Sequence, residues 1–438
     1  MDIKSVNMQS TMPMNRTSAP AETSQGQAPP QDGVQIGGGQ NDVGIQKKWT
    51  FLHYGAADNN LSSFIREDVC EMEQVGSDAN THIVSQLDQR TGNCKRYYIN
   101  KEPAAGLQSP VVEDMGPKVD MSNPKTLTDF LVWGQKNYPG EHVALVIGSH
   151  GGGTMGAAAD DRDGHIMSPG GLKQAFADAE KITGKKVDIL AFDCCLMANT
   201  EVAYELRDAA KYIVASEESE GGAGWPYHNV LNENVLYGLQ EALAKKLTIS
   251  PEEFAKKIIK DTAQIPRDLP TMSAIDTSKM PEVAKQLDGF AKAIIDTDTD
   301  KATLKSIASK TEKFESFRDT YHFCKQIVES TSITDENLKA QAQNVMNAVN
   351  DAVIANQSSK QYPNAYGLQM EIPTYGNVSS GYQKLDFAKD TQWDEAMAKL
   401  NSKEADPSVK PENDDPGDFV WGINSRAEAN ELARHLFD

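Results

Sequence analysis

The sequence lacks the patterns that would place the protein in a membrane or on nucleic acid. No stretch approaches the roughly 18–20 consecutive apolar residues of a membrane span. Basic residues are also few, 43 against 63 acidic ones, which leaves a net charge of −20. Because nucleic acid and anionic membranes both require clustered Lys and Arg, we expect neither as a partner.

Cysteine is scarce as well, with five residues in a chain of 438. The number is odd, and Cys194 and Cys195 are adjacent, so we predict no disulfide framework in a chain of this length. No CxxC pair occurs, and the eight histidines show no zinc-like spacing. We therefore predict no metal site of zinc type and no required cofactor.

The amino-terminal segment, residues 1–46, has no apolar core of the kind found in Sec signal peptides. It is rich in Ser, Thr, Gln, Pro and Gly, a composition that predicts disorder because too little surface can be buried to offset the ordering entropy. A flexible tail and a leader for a non-Sec export route both fit this composition. We expect a protein that stays in the cytoplasm or is exported by a non-Sec route.

Hydrophobic periodicity divides the rest of the chain into three parts. Residues 47–250 alternate between strand and helix patterns and predict an α/β core. Residues 251–401 are more helical, with a late strand at Tyr366–Pro373 that we expect to add to the core. Residues 402–438 read as an acidic linker and a short terminal helix. Helical periodicity in the second half covers Glu252–Ile265, Pro281–Ile295, Ala302–Phe317 and Asn337–Asn356.

Two apolar strand patterns end in side chains that carry reactive chemistry. His142–Gly148 is followed by Ser149 and His150, and Val187–Phe192 is followed by Asp193, Cys194 and Cys195. Near-continuous apolar strands separated by helices predict a mostly parallel sheet with helices on both faces. Because functional sites of such sheets lie at the carboxyl ends of the strands, we expect His150 and Cys195 to meet at one edge.

A histidine beside a cysteine can form a nucleophilic site. The imidazole can remove the thiol proton during attack on a carbonyl and later protonate the leaving amine. The backbone N–H groups of Gly151 and Cys195 are our candidates for holding the oxyanion.

Other interpretations of the same residues remain open. A lone cysteine after an apolar strand is more often a buried small hydrophobe. The segment Ser149–Gly153 is also compatible with a phosphate-binding turn, although it lacks the spacing of the known glycine-rich motifs.

Four segments together resemble the clostripain family of cysteine peptidases, relatives of caspases, legumains and gingipains. A weaker match is Phe317–Phe323, and the resemblance covers about Lys47 to Pro373. The four segments are Trp49–Leu61, Val143–Gly153, Asp188–Glu201 and Ala215–Tyr227. The resemblance implies a caspase-like α/β fold with a mostly parallel central sheet flanked by helices.

The resemblance also implies roles for individual residues. The catalytic dyad falls on His150 and Cys195, while Cys194 stands where the family usually has alanine and is expected to be a buried neighbour on the opposite face of the strand. Cleavage after Arg or Lys is implied, with Asp193 in the substrate pocket. An ordinary strand-end role for Asp193 stays open.

Further acidic residues follow the next predicted strand. We expect Glu217 and Glu218, with Glu220, to add negative charge to the substrate pocket. Many relatives have an acidic residue after the tryptophan of the Gly-Trp pair, whereas this chain has Pro226.

Some relatives are zymogens that are cut between the histidine and the cysteine. Arg162 is a lone basic residue in the predicted exposed loop Gly152–Pro169, and we hypothesise self-cleavage after it. The acidic residues around it are compatible with calcium, which stimulates some relatives, but they lack the spacing of an EF-hand, and an ordinary solvated turn fits better.

The leading hypothesis is a cysteine endopeptidase that acts on proteins or peptides through a His–Cys dyad and an acyl-enzyme intermediate, and we favour a monomer. The alternative is a catalytically silent protein of the same fold that binds basic peptides or partners in its acidic cleft. A phosphate or nucleotide binder is a third class, which the acidic strand ends oppose.

Overall fold

The computed structural model describes residues 42–401, except 103–105, 163, 232–248, 266–268, 377 and 380. The predicted disordered segment therefore lies almost wholly outside the described residues, and so do the predicted linker and helix of residues 402–438. None of the helices within the described ranges has the length and apolarity to cross a bilayer.

Fourteen strands make up the β structure of the described residues. They are β1 (Lys47–Ala57), β2 (Thr81–Gln89), β3 (Cys94–Tyr98), β4 (Val111–Gly116), β5 (Gly140–Gly148), β6 (Ala157–Asp160), β7 (His165–Met167), β8 (Val187–Asp193), β9 (Ala210–Ala215), β10 (Thr271–Asp276), β11 (Lys313–Phe314), β12 (Phe317–Asp319), β13 (Val353–Ser358) and β14 (Gln369–Glu371).

Nine of these strands form one sheet in the order β13-β10-β9-β8-β5-β1-β2-β3-β4. The five central strands, β9, β8, β5, β1 and β2, pair in parallel, and two antiparallel strands extend the sheet at each side. The predicted mostly parallel central sheet is confirmed. β5 and β8, which precede His150 and Cys195, are neighbours in its middle.

Helices cover both faces of this sheet. They are α1 (Ser62–Val75), α2 (Pro124–Asn137), α3 (Pro169–Thr183), α4 (Thr200–Glu205), α5 (Tyr227–Val230), α6 (Pro251–Thr262), α7 (Met280–Asp296), α8 (Lys301–Lys310), α9 (Thr320–Glu329), α10 (Glu336–Ala352), α11 (Asp386–Asp390) and α12 (Trp393–Asn401).

Alternation along β1 shows how the two faces are filled. Leu52 and Tyr54 pack into the core formed with α2, α3 and α7, whereas Trp49 and Phe51 pack into the core formed with α1, α5 and α6. Successive side chains of a strand point to opposite faces, so a strand that is apolar throughout must be covered on both. The unbroken apolar run that predicts β5 has the same cause.

Local signals in the sequence determine where several helices begin. α2 and α3 each start with a proline that follows a capping side chain: Asn123 accepts a hydrogen bond from the Lys125 N–H, and Ser168 accepts one from the Gly171 N–H. α6 begins with a capping box between Ser250 and Glu253. These are the helices whose limits sequence patterns predict best.

Two predicted helices of the second half are too long. The helix expected over Ala302–Phe317 ends at Lys310 and is followed by β11 and β12, and the one expected over Asn337–Asn356 ends at Ala352 and leads directly into β13. β13 is an edge strand in which buried and exposed positions do not alternate cleanly, so periodicity could not separate it from the helix before it. Tyr366–Pro373 contains β14, which pairs with β12 in a separate three-stranded sheet.

The predicted loop Gly152–Pro169 is also more ordered than expected. It contains a two-stranded hairpin, β6 and β7. The Ser149 hydroxyl joins this hairpin to the central sheet, because it donates to the Ala56 carbonyl (2.8 Å) and accepts from the Ala159 N–H (3.1 Å). The hairpin is therefore held beside the strand end that carries His150.

Candidate active site

The carboxyl ends of β5 and β8 bring His150 and Cys195 to one place. The two strands pair in register, with Gly148 opposite Asp193, and each reactive residue follows its strand by two positions. Both residues border one pocket, together with Asp193, and we call it the His–Cys pocket. The expected meeting of His150 and Cys195 at one sheet edge is what the structure displays.

The Cys195 thiol is partly buried and faces the segment that follows β9. The Glu220 backbone N–H donates a hydrogen bond to Cys195 Sγ over 3.3 Å. Burial raises the pKa of the Cys195 thiol, while this N–H and Ser219 act in the opposite direction. The thiol is therefore neutral in the substrate-free protein at neutral pH and must lose its proton during a reaction.

His150 has a hydrogen-bond partner that sequence analysis missed. Its Nε2 lies 2.5 Å from Oδ1 of Asn60, in the turn after β1. Burial lowers the pKa of His150 to about 4, so the ring is neutral near pH 7. Since an amide oxygen only accepts, Nε2 carries the ring proton and Nδ1 is the basic nitrogen.

No sequence signal distinguishes Asn60 from its neighbour Asn59. Both lie in the polar turn that precedes α1, and Asn59 bonds within that turn, because its Oδ1 accepts from the Leu61 N–H (2.9 Å). Only the parallel pairing of β1 with β5 places the second asparagine beside His150.

Cys194 is the buried neighbour that we predicted. It is 2 % exposed, it packs into the core on one face of the sheet, and its thiol lies 3.2 Å from the Ile147 carbonyl oxygen. The adjacent Cys195, one step along the chain, faces the other way.

Gly151 is placed close to Cys195. A Cβ atom at position 151 would lie 2.5 Å from the Cys195 carbonyl oxygen and 2.8 Å from Cys194 Cβ. Any larger residue would therefore push the two strand ends apart. Gly151 and Cys195, the two residues expected to hold the oxyanion, therefore lie next to each other in space.

The floor of the His–Cys pocket is acidic. Asp193 Oδ2 accepts from the Tyr227 hydroxyl (2.9 Å) and from the Trp225 N–H (3.3 Å), and Asp68 and Glu220 line the same pocket. Burial, followed by the charge of Asp193, raises the pKa of Glu220, and burial also raises the pKa of Asp193. Asp68, on α1, was not predicted from the sequence.

The structure does not bring Glu217 and Glu218 to this pocket. Glu217 is 1 % exposed, accepts from the Gly367 N–H (2.9 Å) and pairs with Asp319 of β12, so it connects the small sheet to the central one. Glu218 accepts from the Ser219 N–H (2.7 Å) and from Tyr362. Of the three glutamates in this segment, only Glu220 lines the pocket.

Arg162 is an exposed residue in the turn between β6 and β7, but ion pairs hold its side chain there. Its guanidinium forms an ion pair with Asp58 and lies 3.6 Å from Asp88, and its side chain is 30 % exposed. Self-cleavage after Arg162 would require these ion pairs to break and the turn between β6 and β7 to open. Within the described ranges, no group of three or more His, Cys, Asp or Glu side chains is arranged to hold a metal ion.

The weakly matching segment Phe317–Phe323 also lies near the site. A Cβ atom at Gly153 would contact the Phe317 ring at 2.6 Å, so the small sheet packs against the glycine segment that follows His150. Gln369 of β14 strengthens this contact, since its side-chain amide donates to the Leu196 carbonyl (2.7 Å).

Comparisons with known proteins agree with the fold and identify the family. The model of the clostripain family matches residues 53–400. Clostripain of Hathewaya histolytica is 22 % identical over 373 residues, which cover 70 % of this chain and 70 % of that protein.

Solved structures share the fold. A secreted C11 cysteine protease of Bacteroides thetaiotaomicron, in complex with an irreversible peptide inhibitor, has a TM-score of 0.61 at 18 % identity over 80 % of this chain and 99 % of that one. An inactive zymogen of a C11 protease from Parabacteroides distasonis has a TM-score of 0.59 at 19 % identity over 79 % and 98 % of the two chains. The fold is the caspase-like α/β fold that we expected, and the chain belongs to the clostripain family of cysteine peptidases.

Proposed function

We propose that the protein is an endopeptidase that cleaves after Arg or Lys, with Cys195 as the nucleophile and His150 as the acid–base group. The observation that carries the proposal is that both residues follow adjacent central strands and border one pocket with an acidic floor. Family membership supports protein or peptide substrates. A catalytically silent binding protein, the alternative, would not require a histidine and a cysteine side by side at one pocket.

The chemistry follows from the protonation states of the two side chains. Cys195 Sγ attacks the scissile carbonyl carbon while its proton passes to Nδ1 of His150. Electron density moves to the carbonyl oxygen, for which the N–H groups of Gly151 and Cys195 are the donors. Collapse of this intermediate breaks the C–N bond, and His150 gives the proton to the leaving amine. Water, deprotonated by His150, then hydrolyses the thioester and regenerates the thiol.

The preference for basic residues rests on Asp193 at the pocket floor. A substrate guanidinium or ammonium entering the pocket would meet a buried carboxylate at its end, and charge-assisted hydrogen bonds of this kind are the strong ones. Cleavage of peptides with Arg, Lys, Leu or Asp before the scissile bond tests this preference. If only the peptides with Leu or Asp were cleaved, the mechanism would stand and the assignment of Asp193 to the substrate pocket would be wrong. If no peptide were cleaved, the silent binding protein would be the better hypothesis.

Asn60 is proposed as a positioning residue, because its amide oxygen determines which ring nitrogen of His150 is basic. We expect Asn60→Ala to lower kcat about 10-fold with little change in KM, because the imidazole would then populate the wrong tautomer. Asn60→Asp should restore most of the rate, since a carboxylate accepts the same hydrogen bond. Equal loss in both variants, or a loss confined to KM, would contradict this role.

The pH dependence of thiol alkylation tests the neutral resting state. Because burial raises the pKa of Cys195 and lowers that of His150, the thiolate fraction grows only as pH rises above neutrality. We expect the rate of iodoacetamide labelling at Cys195, followed by mass spectrometry, to climb steadily from pH 6 to pH 9. A plateau that already begins near pH 5 would reveal a thiolate–imidazolium pair instead. Cys70, which is partly exposed, is the internal control.

The remaining expectations stay predictions. The protein is expected to be a monomer and to act without a required cofactor, although calcium could stimulate it. It is expected to stay in the cytoplasm or to be exported by a non-Sec route, and to cleave itself after Arg162.

A further inference from the structure

Asp68 places a second carboxylate in the pocket from a different element of the fold. It lies in α1, on the face of the sheet opposite to α2 and α3, and it is 4 % exposed. It lines the His–Cys pocket together with Asp193, the last residue of β8. Two carboxyl groups that are far apart in sequence, at positions 68 and 193, therefore line one pocket.

Among the described residues, Asp68 has no compensating partner. Across the described part of the chain, no backbone or side-chain group donates a hydrogen bond to its carboxylate, and no Lys, Arg or His forms an ion pair with it. Burial and the nearby charge of Asp193 both raise the pKa of Asp68, which expresses the same lack of compensation. A buried carboxyl group without a partner destabilises the folded state, so a purely structural role does not explain why aspartate stands at this position.

Gly224 shows that Asp68 and Asp193 converge. A Cβ atom at this position would lie 3.0 Å from Asp193 Oδ2 and 3.3 Å from Asp68 Oδ1. The backbone φ of +61° favours glycine here in any case. The absence of a side chain leaves the space between the two carboxylates open on the side of the pocket.

We propose that Asp68 is the second anchor for the basic side chain of the substrate and that it makes the pocket select Arg over Lys. This inference rests on the proposed cleavage after basic residues. Two carboxylates on different sides match a planar guanidinium, whose five N–H donors point in fixed directions, better than the single point charge of an ammonium. Many relatives have an acidic residue after the tryptophan of the Gly-Trp pair, whereas this chain has Pro226 after Trp225. Asp68 would supply the second acidic side chain in its place.

The electrostatics of the pocket fit this role. Burial raises the pKa values of Asp193 and Glu220, and Asp68 lines the same pocket without a hydrogen-bond donor among the described residues. A bound cation would supply the positive partner that Asp68, Asp193 and Glu220 lack among the described residues. The acidic groups of the pocket are therefore compensated only when a basic side chain is bound.

The test compares Asp68→Asn with Glu67→Gln, which removes one charge from an exposed position of the same helix. Initial rates are measured with three peptides that differ only before the scissile bond, carrying Arg, Lys or the uncharged arginine isostere citrulline. We expect Asp68→Asn to lower kcat/KM for the Arg peptide about 30-fold, mostly through KM, and to lower it less than 5-fold for Lys. Glu67→Gln should change neither value.

Thermal stability provides a readout that separates binding from folding. Because Asp68→Asn replaces a buried carboxyl group, whose ionisation burial and Asp193 disfavour, by an amide of the same size that cannot ionise, we expect the substrate-free variant to melt about 1–3 °C higher than the wild type. A lower Tm with equal losses for all peptides would identify a structural role and overturn the inference. Unchanged Arg cleavage in Asp68→Asn would overturn it while leaving the proposed function intact. Failure of the wild type to prefer Arg or Lys over citrulline would overturn both.

Discussion

Replacement of Cys195 by alanine is expected to reduce peptide hydrolysis at least about 10⁴-fold. The side chain is the only nucleophile that we assign to the reaction, so no acyl-enzyme intermediate can form without it. Its removal from a partly buried position should leave the fold intact, which a melting curve would verify. Steady-state hydrolysis of an Arg peptide, together with covalent labelling by a peptide carrying a thiol-reactive group, measures the effect.

Cys194→Ala is the matched control for this experiment. The two cysteines are adjacent, but Cys194 is 2 % exposed and packs into the core, with its thiol against the Ile147 carbonyl. We expect the variant to keep its activity and to lose a little stability, because a small buried group is removed. If Cys194→Ala were inactive and Cys195→Ala active, the assignment of the nucleophile would be reversed.

The position of the site could be predicted because parallel sheets obey a simple rule. His150 and Cys195 each follow an apolar strand, and the carboxyl ends of neighbouring parallel strands meet at one edge. The opposite orientation of Cys194 also follows from strand alternation. These inferences depend only on local sequence and on the parallel arrangement.

The rest of the site depends on packing that local sequence does not encode. Asn60 reaches His150 because β1 lies beside β5, and Asp68 reaches the pocket because α1 packs over that end of the sheet. Glu217 and Glu220 are glutamates three positions apart, yet only Glu220 lines the pocket. Glu217 instead lies beside Asp319 of β12, a strand that was not predicted. The acidic residues near the strand ends thus predicted an acidic pocket correctly, but only the tertiary structure shows which of them line it.

Asp193→Asn is expected to lower kcat/KM for an Arg peptide about 10²–10³-fold, because the substrate cation would lose its main charged partner in a buried pocket. Asparagine keeps an oxygen that can accept from the Tyr227 hydroxyl and the Trp225 N–H, so the pocket wall should retain its shape. The loss should fall chiefly on KM, and a peptide with Leu before the scissile bond should be cleaved as slowly by the variant as by the wild type.

Asp188→Asn supplies a control at the other end of the same strand. Asp188 is also buried, but it accepts from the Val143 N–H (2.9 Å) and pairs with Lys211, far from the pocket. Its replacement should lower stability without changing the preference for Arg among folded molecules. If Asp193→Asn retained the full preference, Asp193 would have only its strand-end role. If Asp68 and Asp193 bind the same guanidinium, the double variant Asp68→Asn with Asp193→Asn should lose less than the product of the two single losses, since contacting residues do not act additively.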